Sequence, residues 1–217
     1  MSRLLYVSAS PRSHVSESAR LAEIFLQTYH AAHPEVQIDT LDLWTEPLLA
    51  FDGVKVGAKM TVIGGGALLG AEAEAWTQIV ANFERFNAAD LYLFTVPMWN
   101  SGIPYVLKQY IDIITQPGLL FGLTPEAGYS GLLTGKKAAA IYTSGVYAPG
   151  VGPAFGSDFH SSYFDNWLRF IGISDITTIR FQPTLLTPDV EGARQAAIEQ
   201  ARTAALTFGT PASAANI

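Results

Sequence analysis

Residues 3–29 read RLLYVSASPRSHVSESARLAEIFLQTY: an apolar run, a polar loop and an amphipathic stretch, in that order. The run 3–9 shows no clean apolar–polar alternation, which is the pattern of a strand buried on both faces. Leu21, Ile24, Phe25 and Thr28 then fall at i, i+3, i+4 and i+7, the spacing of one helix face. Between them, residues 8–18 hold five serines and one arginine in eleven positions, and no glycine. Two readings of this loop stand open. One is a serine-capped helix with an exposed arginine. The other is a phosphate socket, which needs free backbone N–H groups and the favourable end of a helix dipole. Ser10 closes the strand, Pro11 stiffens the approach, Arg12 brings a fixed positive charge, and Ser16 and Ser18 straddle the start of the helix.

The same alternation recurs along the chain. Further strands are expected at 36–42, 90–96, 137–144 and 173–181. Helical spacing returns at Trp76, Ile79, Val80 and Phe83, at Leu107, Tyr110, Ile111 and Ile114, and at Phe164, Trp167, Leu168 and Ile171. Residues 189–208 complete a final helix. Strands alternating with helices of this length imply right-handed crossovers and an open α/β sheet. Five strands favour a flavodoxin-like, doubly wound parallel sheet of order 2-1-3-4-5 with helices on both faces. A single domain is expected over 1–208, followed by a flexible tail at 209–217. Residues 44–70 form a long, glycine-containing excursion of a kind that is usually functional or partner-covered. Its Gly64, Gly65 and Gly66 read as a flexible loop.

Composition narrows the function classes. The 217 residues include 49% hydrophobic residues but only 15% charged ones, below the roughly 25% of an average domain. That balance suits a sizeable core and a surface partly covered by another subunit. The net charge of −6 and the lack of any basic stripe argue against nucleic acid as a partner. Without cysteine, thiol catalysis and cysteine-bound metals are excluded. The N-terminal apolar run is too short for a signal peptide, and no window reaches the roughly 18 apolar residues of a membrane span. A cytoplasmic protein with no membrane insertion is expected.

Ligands of open α/β sheets bind beyond the carboxyl ends of the strands, at the switch in strand order. Three unusual loops fall there. After the third strand come Pro97, Met98, Trp99, Asn100 and Ser101, which place apolar, aromatic and amide groups at the strand tip. Pro104 suits the first turn of the following helix. After the fourth strand come Thr143, Ser144 and Gly145, whose small side chains let backbone amides approach a ligand, and Tyr147, which can stack beside it. An aromatic and an amide beside a phosphate socket suit a planar heterocycle. The dinucleotide fingerprint G-x-G-x-x-G is absent from the first loop, and neither a Walker lysine nor a G-x-S-x-G elbow is present. A mononucleotide fits this pattern better than a dinucleotide.

In these loops the chain resembles the FMN-dependent NADH azoreductases, a flavodoxin-like family whose members are also quinone reductases. The serine spacing of the first loop carries the resemblance, and so do PMWNSGIP (97–104), LKQYID (107–112), GLLTGKKA (131–138) and FIGISD (170–175). It spans roughly residues 3–208. It implies FMN as cofactor and NADH or NADPH as electron donor. Ser10, Arg12, Ser16, Glu17 and Ser18 would surround the phosphate and ribityl chain. Pro97, Met98, Trp99, Asn100 and Ser101, with Thr143, Ser144, Gly145 and Tyr147, would line the isoalloxazine. The implied cycle is ping-pong, with a hydride passing through flavin N5 to a quinone or azo acceptor, so that no catalytic acid–base pair is needed. The resemblance also implies a homodimer with its active site at the interface. Phe121, Tyr147, Phe155 and Phe170 are the aromatics expected on the substrate pocket or the partner's wall. The chain departs from the family at Ser101, where many members carry an aromatic, and at SGVY (144–147), where others carry S-R-G-G.

No metal-ligand spacing links His14, His30, His33 and His160, and no metal site is expected. His160, close to the third loop, is a candidate proton donor. The alternatives to an azo- and quinone-reducing enzyme are a chromate-type or general flavin reductase, a flavodoxin-like electron carrier, and a fold relative that has lost its cofactor.

Overall fold

A computed structural model describes residues 2–12 and 15–209. His14 and all of the expected tail except Gly209 lie outside the described residues. The elements in chain order are β1 (Arg3–Ser8), α1 (Glu17–Ala32), β2 (Gln37–Asp42), α2 (Gly53–Ile63), α3 (Ala71–Asn87), β3 (Leu91–Pro97), α4 (Tyr105–Ile114), β4 (Phe121–Thr124), β5 (Gly128–Gly131), β6 (Lys137–Thr143), α5 (Ser161–Phe170), β7 (Asp175–Phe181) and α6 (Val190–Thr207).

Five strands form a parallel sheet of order β2-β1-β3-β6-β7. Counted within the sheet, this is the expected 2-1-3-4-5. The strands that read as apolar runs are the central ones, because a middle strand of a doubly wound sheet has no solvent face. Tyr92, Phe94 and Val96 of β3 pack with Ala138, Ala140 and Tyr142 of β6 beneath α3, α4 and α5. Leu91 and Leu93, with Ala139 and Ile141, face α1 and α6 on the other side. The alanines of β6 let helices approach closely where β3 supplies the aromatic bulk.

The excursion is more ordered than its composition suggested. Asp52 caps α2 by accepting from the Lys55 amide at 3.1 Å. Gly64 to Gly66 close the same helix rather than forming a loose loop. The Gly64 amide donates to Met60 O at 3.0 Å and the Gly66 amide to Thr61 O at 2.9 Å. Gly57 weakens the helical signal in the sequence but serves packing: a Cβ there would lie 2.7 Å from Glu72 Oε1 of α3. Arg85 of α3 ties the start of the excursion to the sheet. It donates in a fork to Asp39 of β2 at 2.9 and 3.1 Å and to Glu46 at 2.6 Å. The Arg85 hydrogen bonds hold the Asp39 carboxyl below its ordinary range.

A second, two-stranded antiparallel sheet, β4–β5, was not foreseen. Its strands are four residues each and rich in Gly, Ser and Thr, so they carry no periodic signal. At the other end of the chain, the Gly209 carbonyl accepts from the Tyr29 hydroxyl at 3.0 Å.

Candidate active site

Three loops meet beyond the carboxyl ends of β1, β3 and β6, at the switch point of the sheet. They enclose a cleft of about 200 Å³. The first loop contributes Ser10, Arg12, Ser16 and Glu17; the β3 loop, Pro97, Met98 and Trp99; the β6 loop, Thr143, Ser144 and Gly145. Thr184 and Leu185, from the connection after β7, complete the wall.

Ser16 holds the N-cap position of α1 with extended backbone, yet its side chain makes no capping hydrogen bond. Its Oγ lies 3.0 Å from Ser18 Oγ instead. The first amides of α1, those of Glu17, Ser18 and Ala19, have no intrahelical acceptor by the geometry of any helix. They are therefore available to an anion, and so is the Ser16 hydroxyl, which lines the cleft, whereas Ser18 is fully buried behind it. The backbone of Ser16 is thus that of an N-cap, but its side chain does not cap the helix. The Glu17 carboxylate would oppose an anion here, but Arg194 of α6 grips it in a fork at 2.9–3.3 Å.

The β3 loop is pinned and strained. Met98 donates to Thr143 O at 2.7 Å, extending the β3–β6 ladder. Trp99 and Gly102 exchange both backbone hydrogen bonds at 2.9 Å around Asn100 and Ser101, whose φ angles are +48° and +66°. This is a tight turn with two non-glycine residues in the left-handed region, at a cost of roughly 1–2 kcal/mol per residue. Asn tolerates that region and Ser less so. Ser101→Gly is therefore expected to stabilise the protein by about 0.5–1 kcal/mol, the strain relieved less the entropy that glycine adds to the unfolded chain. Urea titration of the two proteins measures it.

The third loop runs beside the segment after β7. Thr184 donates to Ser144 O at 2.8 Å and Leu185 to Gly145 O at 2.9 Å. Ser144 Oγ donates to the Tyr147 carbonyl at 2.5 Å. Tyr147 is not among the residues that line the cleft; its Cβ and Ser101 Oγ both lie near Gly156, 3.8 and 4.0 Å from where a Cβ there would sit.

Asn100 lines an adjoining aromatic trough of about 410 Å³ with Trp44, Trp99, Ile103 and Tyr105. Trp44 donates from Nε1 to Ala9 O at 3.0 Å and meets the Tyr105 ring edge-on at 5.3 Å. Sequence reasoning missed Trp44, Tyr105, Thr184 and Leu185. The available signal was position, since Trp44 and Thr184 each follow closely on the carboxyl end of a strand.

The four aromatics expected at an acceptor site fall in two places. Phe121 and Phe170 cluster with Tyr129 of the small hairpin at centroid distances of 5.4–5.6 Å. Tyr147 and the half-exposed Phe155 belong to the loop after β6. His160 is a buried histidine rather than a proton donor at the cleft. It is 0% exposed, its Nε2 pairs with the Val96 carbonyl, and its ring meets Tyr142 edge-on at 4.9 Å. Burial pushes its pKa below the ordinary histidine value, which keeps it neutral at physiological pH. Among the described residues no cluster of His, Asp and Glu could hold a metal ion.

The chain matches, over residues 2–205, the family described as having a flavodoxin-like fold. It is 51% identical over 189 residues to an FMN-dependent NADH:quinone oxidoreductase of Ruegeria pomeroyi, covering 87% of this chain and 93% of that one. Against FMN-dependent NADH:quinone oxidoreductase 9 of Burkholderia lata the identity is 41% over 211 residues, or 96% of this chain and all of the other. Among solved structures, an azoreductase from Bacillus anthracis superposes with a TM-score of 0.85 at 30% identity, covering 94% of this chain and 99% of that chain.

Proposed function

The chain belongs to the flavodoxin-like-fold family matched over residues 2–205, and from that premise we propose that it is an FMN-dependent NADH:quinone oxidoreductase that also reduces azo compounds. The observation that carries the proposal is the uncapped start of α1, with Ser16 and Ser18 turned to each other and Arg12 on the same cleft. Helix amides, the Ser16 hydroxyl that Ser18 orients, and a guanidinium make a phosphate site. The small residues of the β6 loop and Trp99 of the β3 loop leave a polar–aromatic slot beside it that suits a flavin ring.

When bound, FMN supplies the two-electron chemistry, a hydride taken at N5 from NADH or NADPH and passed to the acceptor in a ping-pong cycle. The chain's own part is to bind, orient and shield. In this proposal, backbone N–H groups near Asn100 and Gly145 would favour negative charge at the ring edge. The trough of Trp44, Trp99 and Tyr105 offers flat apolar surface to a planar quinone.

The purified protein is expected to carry flavin absorbance or to regain it with added FMN. Anaerobic NADH or NADPH should bleach that absorbance, and a quinone should restore it. A colourless protein that FMN does not reconstitute overturns the proposal. A flavin that neither nicotinamide reduces makes the chain a carrier instead.

The acting unit in this proposal is a homodimer. Tyr129 is 63% exposed although it packs on Phe121 and Phe170, so this aromatic cluster presents a face that a second subunit can cover. The same cluster would then reach the partner's acceptor site. Light scattering is expected to give twice the 23.4 kDa chain mass, and a monomer would remove the shared site. No helix among the described residues is long and apolar enough to cross a membrane. A cytoplasmic place of action completes the proposal.

A further inference from the structure

The β3 turn holds two non-glycine residues in the left-handed region and still keeps one closed geometry. Strain of this kind persists only where the surroundings over-determine the backbone. The surroundings here are residues 158–160. His160 Nε2 pairs with the carbonyl of Val96, the residue just before the loop. The Phe159 amide donates to the carbonyl of Ser101, within the turn, at 3.1 Å. The two contacts bracket Pro97, Met98, Trp99 and Asn100. Residues 158–160 are in turn fixed to α5. Asp158 Oδ1 accepts from the amides of His160 at 3.0 Å and Ser161 at 2.7 Å, and Oδ2 accepts from Ser161 Oγ at 2.5 Å.

A carbonyl can only accept, so His160 Nε2 must carry the hydrogen. That leaves Nδ1 as the bare nitrogen of a neutral ring, and Nδ1 is buried without a hydrogen-bond partner. The histidine is therefore used for one directed bond. Its ring edge meets Tyr142, whose hydroxyl donates to Asp165 of α5 at 2.5 Å. An orienting bond from a rigid helix end to a strand tip is how a fold holds a binding loop within the tolerance that redox chemistry requires.

We propose that residues 158–160 are a two-point clamp on the flavin-contacting loop after β3, with His160 acting as a positioning residue for the redox site. The clamp's role toward the flavin rests on the FMN proposal above, but the clamp itself is testable without the cofactor. The first readout is amide hydrogen exchange in full-length apo-protein. In His160→Leu, exchange at Trp99 and Gly102 is expected to quicken about tenfold, the scale of one lost buried hydrogen bond, while amides within α1 and α6 keep wild-type rates. His160→Gln, whose side-chain amide can still donate to Val96, should recover most of the protection. Should His160→Leu fail to fold, Phe159→Pro removes the N–H that reaches Ser101, and it also fixes φ at 159 and restricts Asp158. Phe159→Ala is its control, because that side chain is 68% exposed. On the FMN-loaded protein, His160→Leu should shift the flavin midpoint potential while His160→Gln leaves it near wild type.

Wild-type exchange at Trp99 and Gly102 in both His160→Leu and Phe159→Pro overturns the clamp. So does faster exchange spread evenly over the chain, which would make His160 an ordinary core residue. Failure of the wild type to bind FMN overturns the functional proposal alone, because the exchange result still decides the clamp.

Discussion

Replacing Arg12 and Ser16 together by alanine is expected to weaken FMN binding by about 2–4 kcal/mol, a roughly 30- to 700-fold rise in Kd. Fluorescence titration of the apo-protein with FMN measures it. The size follows from what each group offers a phosphate. Arg12 brings a full charge at the end of a stiff Ser10–Pro11 approach. Ser16 brings a hydroxyl that the helix does not use for its own cap. The two substitutions differ in their cost to the fold. Arg12 is exposed, so its truncation opens no cavity and should leave stability within about 0.5 kcal/mol. Ser16→Ala strands the fully buried Ser18 hydroxyl and should cost about 1 kcal/mol or more. Arg12→Ala alone is thus the cleaner probe, and its effect should shrink as salt rises because the site opens to solvent. Unchanged affinity in the double variant would place the phosphate elsewhere.

The three loops were legible because the sequence displays what they need. The proposed mononucleotide socket draws on serines at a helix start, and they stand in one stretch. A doubly wound sheet requires central strands without a polar face, and β3 and β6 advertise that in their composition. The topology then places the loops after β1, β3 and β6 together without any knowledge of side-chain packing. What escaped reading depended on contacts between distant residues. Thr184 joins the cleft because the segment after β7 runs beside Ser144 and Gly145, a pairing that local composition does not encode. Gly53 and Gly57 hide α2, whose reason to exist is its packing on Glu72 and the Asp52 cap. His160 stands near the site in sequence, but burial decides its chemistry, and burial is a tertiary property. The turn at Asn100 and Ser101 was read as a binding loop. Its left-handed backbone has distant partners that local composition does not encode, with Ser101 O accepting from the Phe159 amide.

The small hairpin is where the second large effect is expected. Gly172, with φ of +104°, ends α5, and a Cβ there would sit 2.3 Å from the Leu133 carbonyl oxygen. Across the contact, a Cβ at Gly131 would sit 2.2 Å from the Gly172 amide nitrogen. Leu133 is not free to move aside, because its amide donates to Ile171 O at 3.0 Å. Backbone therefore meets backbone, and no side-chain rotation relieves an added methyl. Gly172→Ala combines that clash with a left-handed backbone unsuited to alanine, and should cost about 3–5 kcal/mol. For a chain of this size that is a fall in Tm of roughly 10 °C, read by calorimetry. The site should respond unevenly. The proposed phosphate socket is built from α1 and the β1 loop, away from this contact, so FMN affinity at low temperature should hold. Phe121, Tyr129 and Phe170 are aligned by the hairpin's seat on α5, so dimerisation and quinone turnover should fall first. Loss of FMN affinity in step with turnover would mean that the hairpin supports the socket itself, and that the cluster is not a separate wall contributed to a partner.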